Sequence, residues 1–103
     1  MRKKYIFVRD IATVLAGLNN SQSICCFLDA LLTLPEKARI GLRWRLVCLL
    51  ESGLSQREIA KRLGVSLCKI TRGSRELKNK PAFRKIVADY KNNDIKKGRK
   101  IKS

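Results

Sequence analysis

The chain has 103 residues, 45% of them apolar, which is enough for one domain with a small core and too little for a second independent one. Its 24 Lys and Arg stand against 8 Asp and Glu, a formal charge of +16, and such self-repulsion is tolerable mainly when a polyanion neutralises it, nucleic acid first. The acids are scattered and histidine is absent, which argues against an enzyme, and no apolar run approaches the ~18 residues that span a bilayer. Arg9 and Asp10 interrupt the apolar stretch after Met1-Arg2-Lys3-Lys4, so that start reads as mature protein rather than a secretory leader. Cys25, Cys26, Cys48 and Cys68 lack Cys-x-x-Cys spacing, so no metal site is expected; they read as free buried thiols in a reducing cytoplasm.

Apolar residues at Ile11, Val14, Leu15 and Leu18 predict a first helix from Tyr5 to Leu18, ended by Gly17 and Asn19-Asn20. Ser23 is placed to cap a second, with Ile24, Phe27, Leu28 and Leu31 inward and a stop near Thr33. Pro35 and Glu36 suit the first turn of a third helix, which runs to Ser52 before Gly53. Its inner stripe is Ile40, Trp44, Val47 and Leu50, with Trp44 in the core or at a dimer interface. Ser55-Gln56-Arg57-Glu58 is a capping box, flanked by Leu54 and Ile59 as a hydrophobic staple, and the helix it opens ends at Leu63-Gly64. Ser66 caps a fifth helix to about Asn79. Pro81 opens a sixth with Phe83, Ile86, Val87 and Tyr90 on one face. The expectation is an all-α, six-helix domain over residues 1–90, followed by a flexible basic tail over 91–103.

Residues 55–79 carry the pattern of a helix-turn-helix. Two short helices that meet need apolar residues at the contact, here Ile59, Leu63, Val65 and Ile70. They also need a small residue, Ala60, and a glycine free to turn left-handed, Gly64. The outer positions are polar or basic: between Ser55 and Lys80 there are eight Lys or Arg and two Glu. Residues at the start of the second helix meet base edges in such a motif, which selects Leu67, Cys68 and Lys69. Lys69 is the polar reader, and Leu67 and Cys68 suit apolar contact with a thymine methyl. Gln56 and Arg57 are placed for phosphate at the start of the preceding helix, and Lys61, Thr71 and Arg72 complete the candidate DNA-binding set.

The segments Leu54-Ser55-Gln56-Arg57-Glu58-Ile59 and Ile70-Thr71-Arg72-Gly73-Ser74 resemble the Trp repressor family, over roughly residues 29–81. The resemblance implies an intertwined homodimer with a helix-turn-helix reading head. It further implies a transcriptional repressor that binds double-stranded operator DNA with L-tryptophan as corepressor. Arg43 and Arg72 match the arginines that flank the indole, while Thr33 and backbone around Ala30 and Leu32 would hold its polar ends. Val47, Gly73 and Glu76 complete the implied corepressor site. Taken alone, Arg72 equally suits a phosphate contact.

Three positions depart from the family pattern. Cys48 to Gly53 is one residue short, which leaves Arg45 as an alternative to Arg43. Glu76 replaces a small residue near the ligand ammonium and could meet that charge or pair with Lys80 four residues on. Lys69 replaces a small polar residue, so the operator sequence does not carry over. The alternatives to a tryptophan-responsive repressor are a ligand-independent repressor of the same fold and the DNA-binding part of a mobile-element protein. A single-strand or membrane-surface binder would need exposed aromatic residues, and here these fall mostly on apolar stripes.

Overall fold

The computed structural model describes residues 3–92, and all regular structure among them is helical. Six helices follow in order: α1 (Lys3–Gly17), α2 (Ser21–Leu31), α3 (Leu34–Glu51), α4 (Gln56–Leu63), α5 (Leu67–Asn79) and α6 (Pro81–Lys91). None of them is long and apolar enough to cross a membrane. The basic tail expected over 91–103 lies, beyond Asn92, outside the described residues. Two compact units divide the chain within α3, one ending at Lys37 and the other beginning at Ala38.

In the first unit the helix boundaries are drawn by side-chain caps. Asn20, not Ser23, caps α2: its backbone is extended, and its Oδ1 accepts the Ser23 N–H at 2.7 Å. Asn serves an N-cap as well as Ser does, and Asn20 comes first along the chain. The helix stops at Leu31, two residues before the expected Thr33, because Leu32 turns extended and sends its N–H back to the Leu28 carbonyl. Thr33 then pairs with Glu36 in a reciprocal capping box: Thr33 Oγ1 accepts the Glu36 N–H at 3.3 Å, and Glu36 Oε1 accepts the Thr33 N–H at 2.8 Å. A Lys37–Asp29 ion pair at 2.6 Å ties the corner between α2 and α3. Apolar burial is sparse here. No residue of α2 is buried, Leu31 of the expected inner stripe is 49% exposed, and Phe7, Val8, Val14 and Leu34 are exposed as well.

The second unit holds the core. Leu46, Val47 and Cys48 of α3 meet Ile59 of α4, Ile70 and Leu77 of α5, and Val87 of α6. Ile59, Ile70 and Val87 are fully buried. Trp44 packs against this core with its ring edge-on to Tyr90, centroids 5.4 Å apart at 70°. Two residues expected inside are not. Ile40 is 48% exposed because it precedes by more than a turn the stretch from Leu46 to Leu50 that faces α5, and Ile86 is 51% exposed because Val87, one position on, takes the inward direction. The cysteines divide similarly: Cys48 is buried, whereas Cys25, Cys26 and Cys68 are exposed, two on the uncovered α2 and one on the outer side of α5. Burial pushes the Cys48 thiol pKa up, against the opposing charge of Arg45.

Gly53 ends α3 at φ 95°, where the Gly53 N–H reaches the Leu50 carbonyl at 3.0 Å and the Leu54 N–H reaches Leu49 at 3.3 Å. Gly73 matters for a different reason. A Cβ built on it would lie 2.6 Å from Leu46 Cδ2 and 3.4 Å from Val47 Cγ1, so α5 approaches α3 at a distance only glycine permits. Leu46 is itself buried, so any shift of its side chain is passed on to the core. Gly73→Ala sets overpacking of about 1–3 kcal/mol against a helix-propensity gain of about 1 kcal/mol. The variant is expected to be the less stable, by up to about 2 kcal/mol, in urea unfolding; a raised midpoint would contradict the close approach.

Candidate ligand cleft and DNA-reading face

The helix-turn-helix is assembled by its caps and its turn. Ser55 Oγ accepts the Glu58 N–H at 3.1 Å and Ser66 Oγ accepts the Lys69 N–H at 3.3 Å, which starts α4 and α5 where the sequence predicts. Only half of the expected capping box forms at Ser55, since Glu58 Oε2 turns to Arg62 Nε at 3.0 Å, the stronger charge-assisted partner. Between the helices Gly64 sits at φ 65°, ψ 34° and returns its N–H to the Ala60 carbonyl. Thr71 Oγ1 donates to Gln56 Oε1 at 3.4 Å, so two of the predicted DNA-binding residues are linked across the motif.

Burial decides which face of this motif is available. α4 turns Ile59 inward, and α5 turns in Ile70, Gly73 and Leu77 at a spacing of three and four. What remains outside is basic. Arg57 and Lys61 on α4, and Leu67, Cys68, Lys69, Thr71 and Arg72 on α5, are all exposed, with Gln56 half-buried beside them.

Beside this face lies a cleft of about 400 Å³, within the usual range for a small-molecule site. Its walls are Arg39, Leu42, Arg43, Leu46 and Val47 of α3, Lys69, Arg72, Gly73 and Glu76 of α5, with Val65, Lys80 and Phe83 completing the lining. The close crossing at Gly73 brings the two walls together. Of the residues the family resemblance assigns to a corepressor, the structure gathers Arg43, Val47, Arg72, Gly73 and Glu76 here. Between the two candidate arginines of α3, Arg43 lines the cleft and Arg45 does not. Ala30, Leu32 and Thr33 belong to the other compact unit, where Ala30 is exposed on α2, Leu32 closes that helix and the Thr33 hydroxyl is engaged with Glu36.

Several lining residues were missed by sequence reasoning. Arg39 stands one turn before Arg43, and Lys69, Arg72, Gly73, Glu76 and Lys80 recur at three- and four-residue steps. That stripe is the signal in the sequence for this wall, although a helix-turn-helix pattern alone assigns Lys69 to DNA and the i, i+4 spacing alone assigns Lys80 to Glu76. Leu42, Leu46, Val65 and Phe83 supply apolar wall that periodicity assigns only to a core.

The charge in the cleft is lopsided. Arg39, Arg43, Lys69, Arg72 and Lys80 face a single acid, Glu76. Glu76 Oε1 lies 2.8 Å from Lys80 Nζ. The hydrogen bond from Lys80, then its charge, with smaller contributions from Arg72 and Arg75, hold the Glu76 carboxyl below its ordinary pKa. Among the described residues no group of three or more His, Cys, Asp or Glu is placed to hold a metal ion.

The family model for the Trp repressor protein matches residues 8–91. The chain belongs to the Trp repressor family. Proteins named Trp operon repressor homolog from Chlamydia trachomatis serovars D and A are each 41% identical to it over 58 residues, 54% of this chain and 62% of theirs. The chain thus spans about 62% of the length of the curated relatives it matches. No solved structure gives a significant match. Within this family chain, Glu76 and Lys80 generate a pH dependence whose sign follows from the depressed carboxyl. The pair's contribution is present above the ordinary Glu pKa of about 4.3 and is lost as pH falls through the lower folded value. The unmutated protein and Glu76→Gln should therefore differ in melting temperature at neutral pH and converge on acidification, and a gap that widens in acid would contradict the pairing.

Proposed function

We propose that this chain is a sequence-specific transcriptional repressor that binds operator DNA as an intertwined homodimer in the cytoplasm, with L-tryptophan as corepressor in the cleft between α3 and α5. One observation carries the reading: α5 supplies both the exposed basic face and a wall of the cleft, and Lys69 and Arg72 belong to both. A ligand bound there touches the helix that enters the major groove, so ligand and DNA affinities must be coupled. Leu42, Leu46, Val47 and Phe83 offer apolar contact to an indole, and the Arg43 and Arg72 guanidinium groups suit its ring face and its carboxylate. The name of these relatives, Trp operon repressor homolog, supports the same role. Free, exposed thiols at Cys25, Cys26 and Cys68 fit a reducing compartment.

The uncovered apolar surface supports the dimer. No residue of α2 is fully buried, and Phe7, Leu31, Leu34 and Ile40 stand exposed, apolar surface of the kind that interfaces cover. A second copy would cover these faces and set two reading heads about 34 Å apart, one turn of DNA. Sedimentation at micromolar concentration should show a dimer, and a stable folded monomer there would exclude this arrangement.

The ligand is tested first without DNA. Calorimetry should detect tryptophan binding to the unmutated protein and its loss in Arg72→Ala at unchanged helicity. With DNA selected from a random pool, tryptophan should raise affinity, and DNA should raise tryptophan affinity by the same factor. Tight, selective DNA binding with no tryptophan bound at millimolar concentration would instead identify a ligand-independent repressor. On the DNA side, Arg57→Ala should weaken all sequences and reduce the salt slope by about one, whereas Lys69→Ala should cost about 1–3 kcal/mol at one base pair. Equal losses on selected and random DNA for both variants would refute that division.

A further inference from the structure

The start of α5 offers donors and apolar surface, while the acceptors of the motif are already engaged. Leu67, Cys68 and Lys69 form its first turn, and all are exposed. Leu67 is 56% exposed, a large apolar side chain held in solvent among cations. Lys69 makes no ion pair among the described residues, since the acid of α5, Glu76, is taken by Lys80 at 2.8 Å. Between Ser55 and Leu77 a carboxylate or amide oxygen occurs only on Gln56, Glu58 and Glu76. Gln56 Oε1 accepts from the Thr71 hydroxyl at 3.4 Å, and Glu58 Oε2 accepts from Arg62 Nε at 3.0 Å. Ser66 Oγ receives the Lys69 N–H at 3.3 Å. The Thr71 bond leaves Gln56 with its NH2 as the group to offer, so that side chain too presents a donor.

We propose that the first turn of α5 reads DNA by donation and apolar contact alone, with Lys69 selecting guanine and Leu67 a pyrimidine C5-methyl group. This rests on the reading of α5 as the helix that enters the major groove. An ammonium can donate and cannot accept. On the major-groove edge guanine presents two acceptors, O6 and N7. Adenine sets one acceptor beside an N6 donor that repels an ammonium, cytosine presents a donor, and thymine has one acceptor beside its methyl. The donors of adenine and cytosine would meet no uncommitted carboxylate or amide on this face. The Leu67 side chain has no polar atom, and the thymine methyl is the one apolar feature of that edge. Leu67 and Lys69 flank Cys68, about 3 Å apart along the helix axis, so both features fall in the same half-site.

Selection of duplex DNA from a random pool by the full chain, with and without millimolar tryptophan, should return guanine at one fixed position of each half-site and thymine close to it. Base analogues in the selected site then test each contact. Replacing that guanine in one half-site by 7-deazaguanine, which still pairs but has no N7, should weaken binding about tenfold. Replacing the thymine by uracil, which lacks only the methyl, should weaken it about threefold, near the value of one buried methyl group. In Lys69→Met the first effect should vanish and the second persist, and in Leu67→Ala the reverse. Both side chains are exposed, so the fold should be unchanged, which far-ultraviolet circular dichroism checks. Analogue effects absent from the unmutated protein, or unchanged in both variants, would overturn this assignment of readers while leaving selective DNA binding standing. Equal affinity for the selected site and for random duplex would overturn the sequence-specific reading and this inference with it.

Discussion

The close crossing of α5 over α3 is the constraint on which the rest of this molecule depends. At Gly73 the missing side chain lets the α5 backbone settle against Leu46, Val47 and Leu50, with Leu46 Cδ2 where a Cβ would crowd it. From that contact α5 derives its orientation. Its inner residues, Ile70 and Leu77, enter the core on either side of the glycine, and its outer residues are turned to solvent as one basic face. The same crossing sets the two walls of the cleft at a separation that leaves about 400 Å³ between them. A bulkier residue at this point would disturb core, cleft and reading helix together, because interiors packed to this density shift rather than compress.

Charge is distributed in a way that suits the two anions of the proposed function. A net +16 is far more than this chain can neutralise internally, and the ion pairs among the described residues are few and exposed. Such pairs contribute little to stability, about 0–1 kcal/mol each. The cations left over on α4 and α5 form the surface that a phosphate backbone would neutralise, and those lining the cleft form a second, smaller positive site beside it. Lys69 and Arg72 stand at the border of the two. In the proposed coupling, that border is where occupancy of one site alters the other.

Apolar surface has the opposite distribution in the two units. The unit from Ala38 onward holds every buried apolar side chain among the described residues, with full burial at Ile59, Ile70 and Val87. The unit up to Lys37 is helical and well capped, yet α2 contributes no buried residue at all. Caps and short-range ion pairs such as Lys37–Asp29 account for why those helices begin and end where they do, but they supply no burial. Helices of this length draw most of their stability from a packed face, so the uncovered face of this unit is the feature on which the proposed dimer rests.

Local sequence chemistry determined the number and type of the helices, most of their ends and the helix-turn-helix. Gly64, Ser55 and Ser66 act through bonds to residues three or four positions away, and Pro81 through its fixed φ, all of which operate in whatever context the segment finds itself. Where two caps competed, as at Asn20 and Ser23, or two partners, as at Glu58, the nearer or more strongly charged group prevailed, a choice that a list of propensities leaves open. The matched segments around Ser55 and Ile70 also sufficed to point to the family. Tertiary structure alone decided which apolar stripe residues were covered, because periodicity marks a face and not whether anything packs on it: hence Ile40, Leu31 and Ile86 in solvent. It decided, too, that Arg43 rather than Arg45 lines the cleft, and that Arg39, Lys80 and Phe83 join it. A cleft is made by residues far apart in the chain, and their meeting depends on the angle and depth at which helices cross, which here a single glycine set against Leu46 controls.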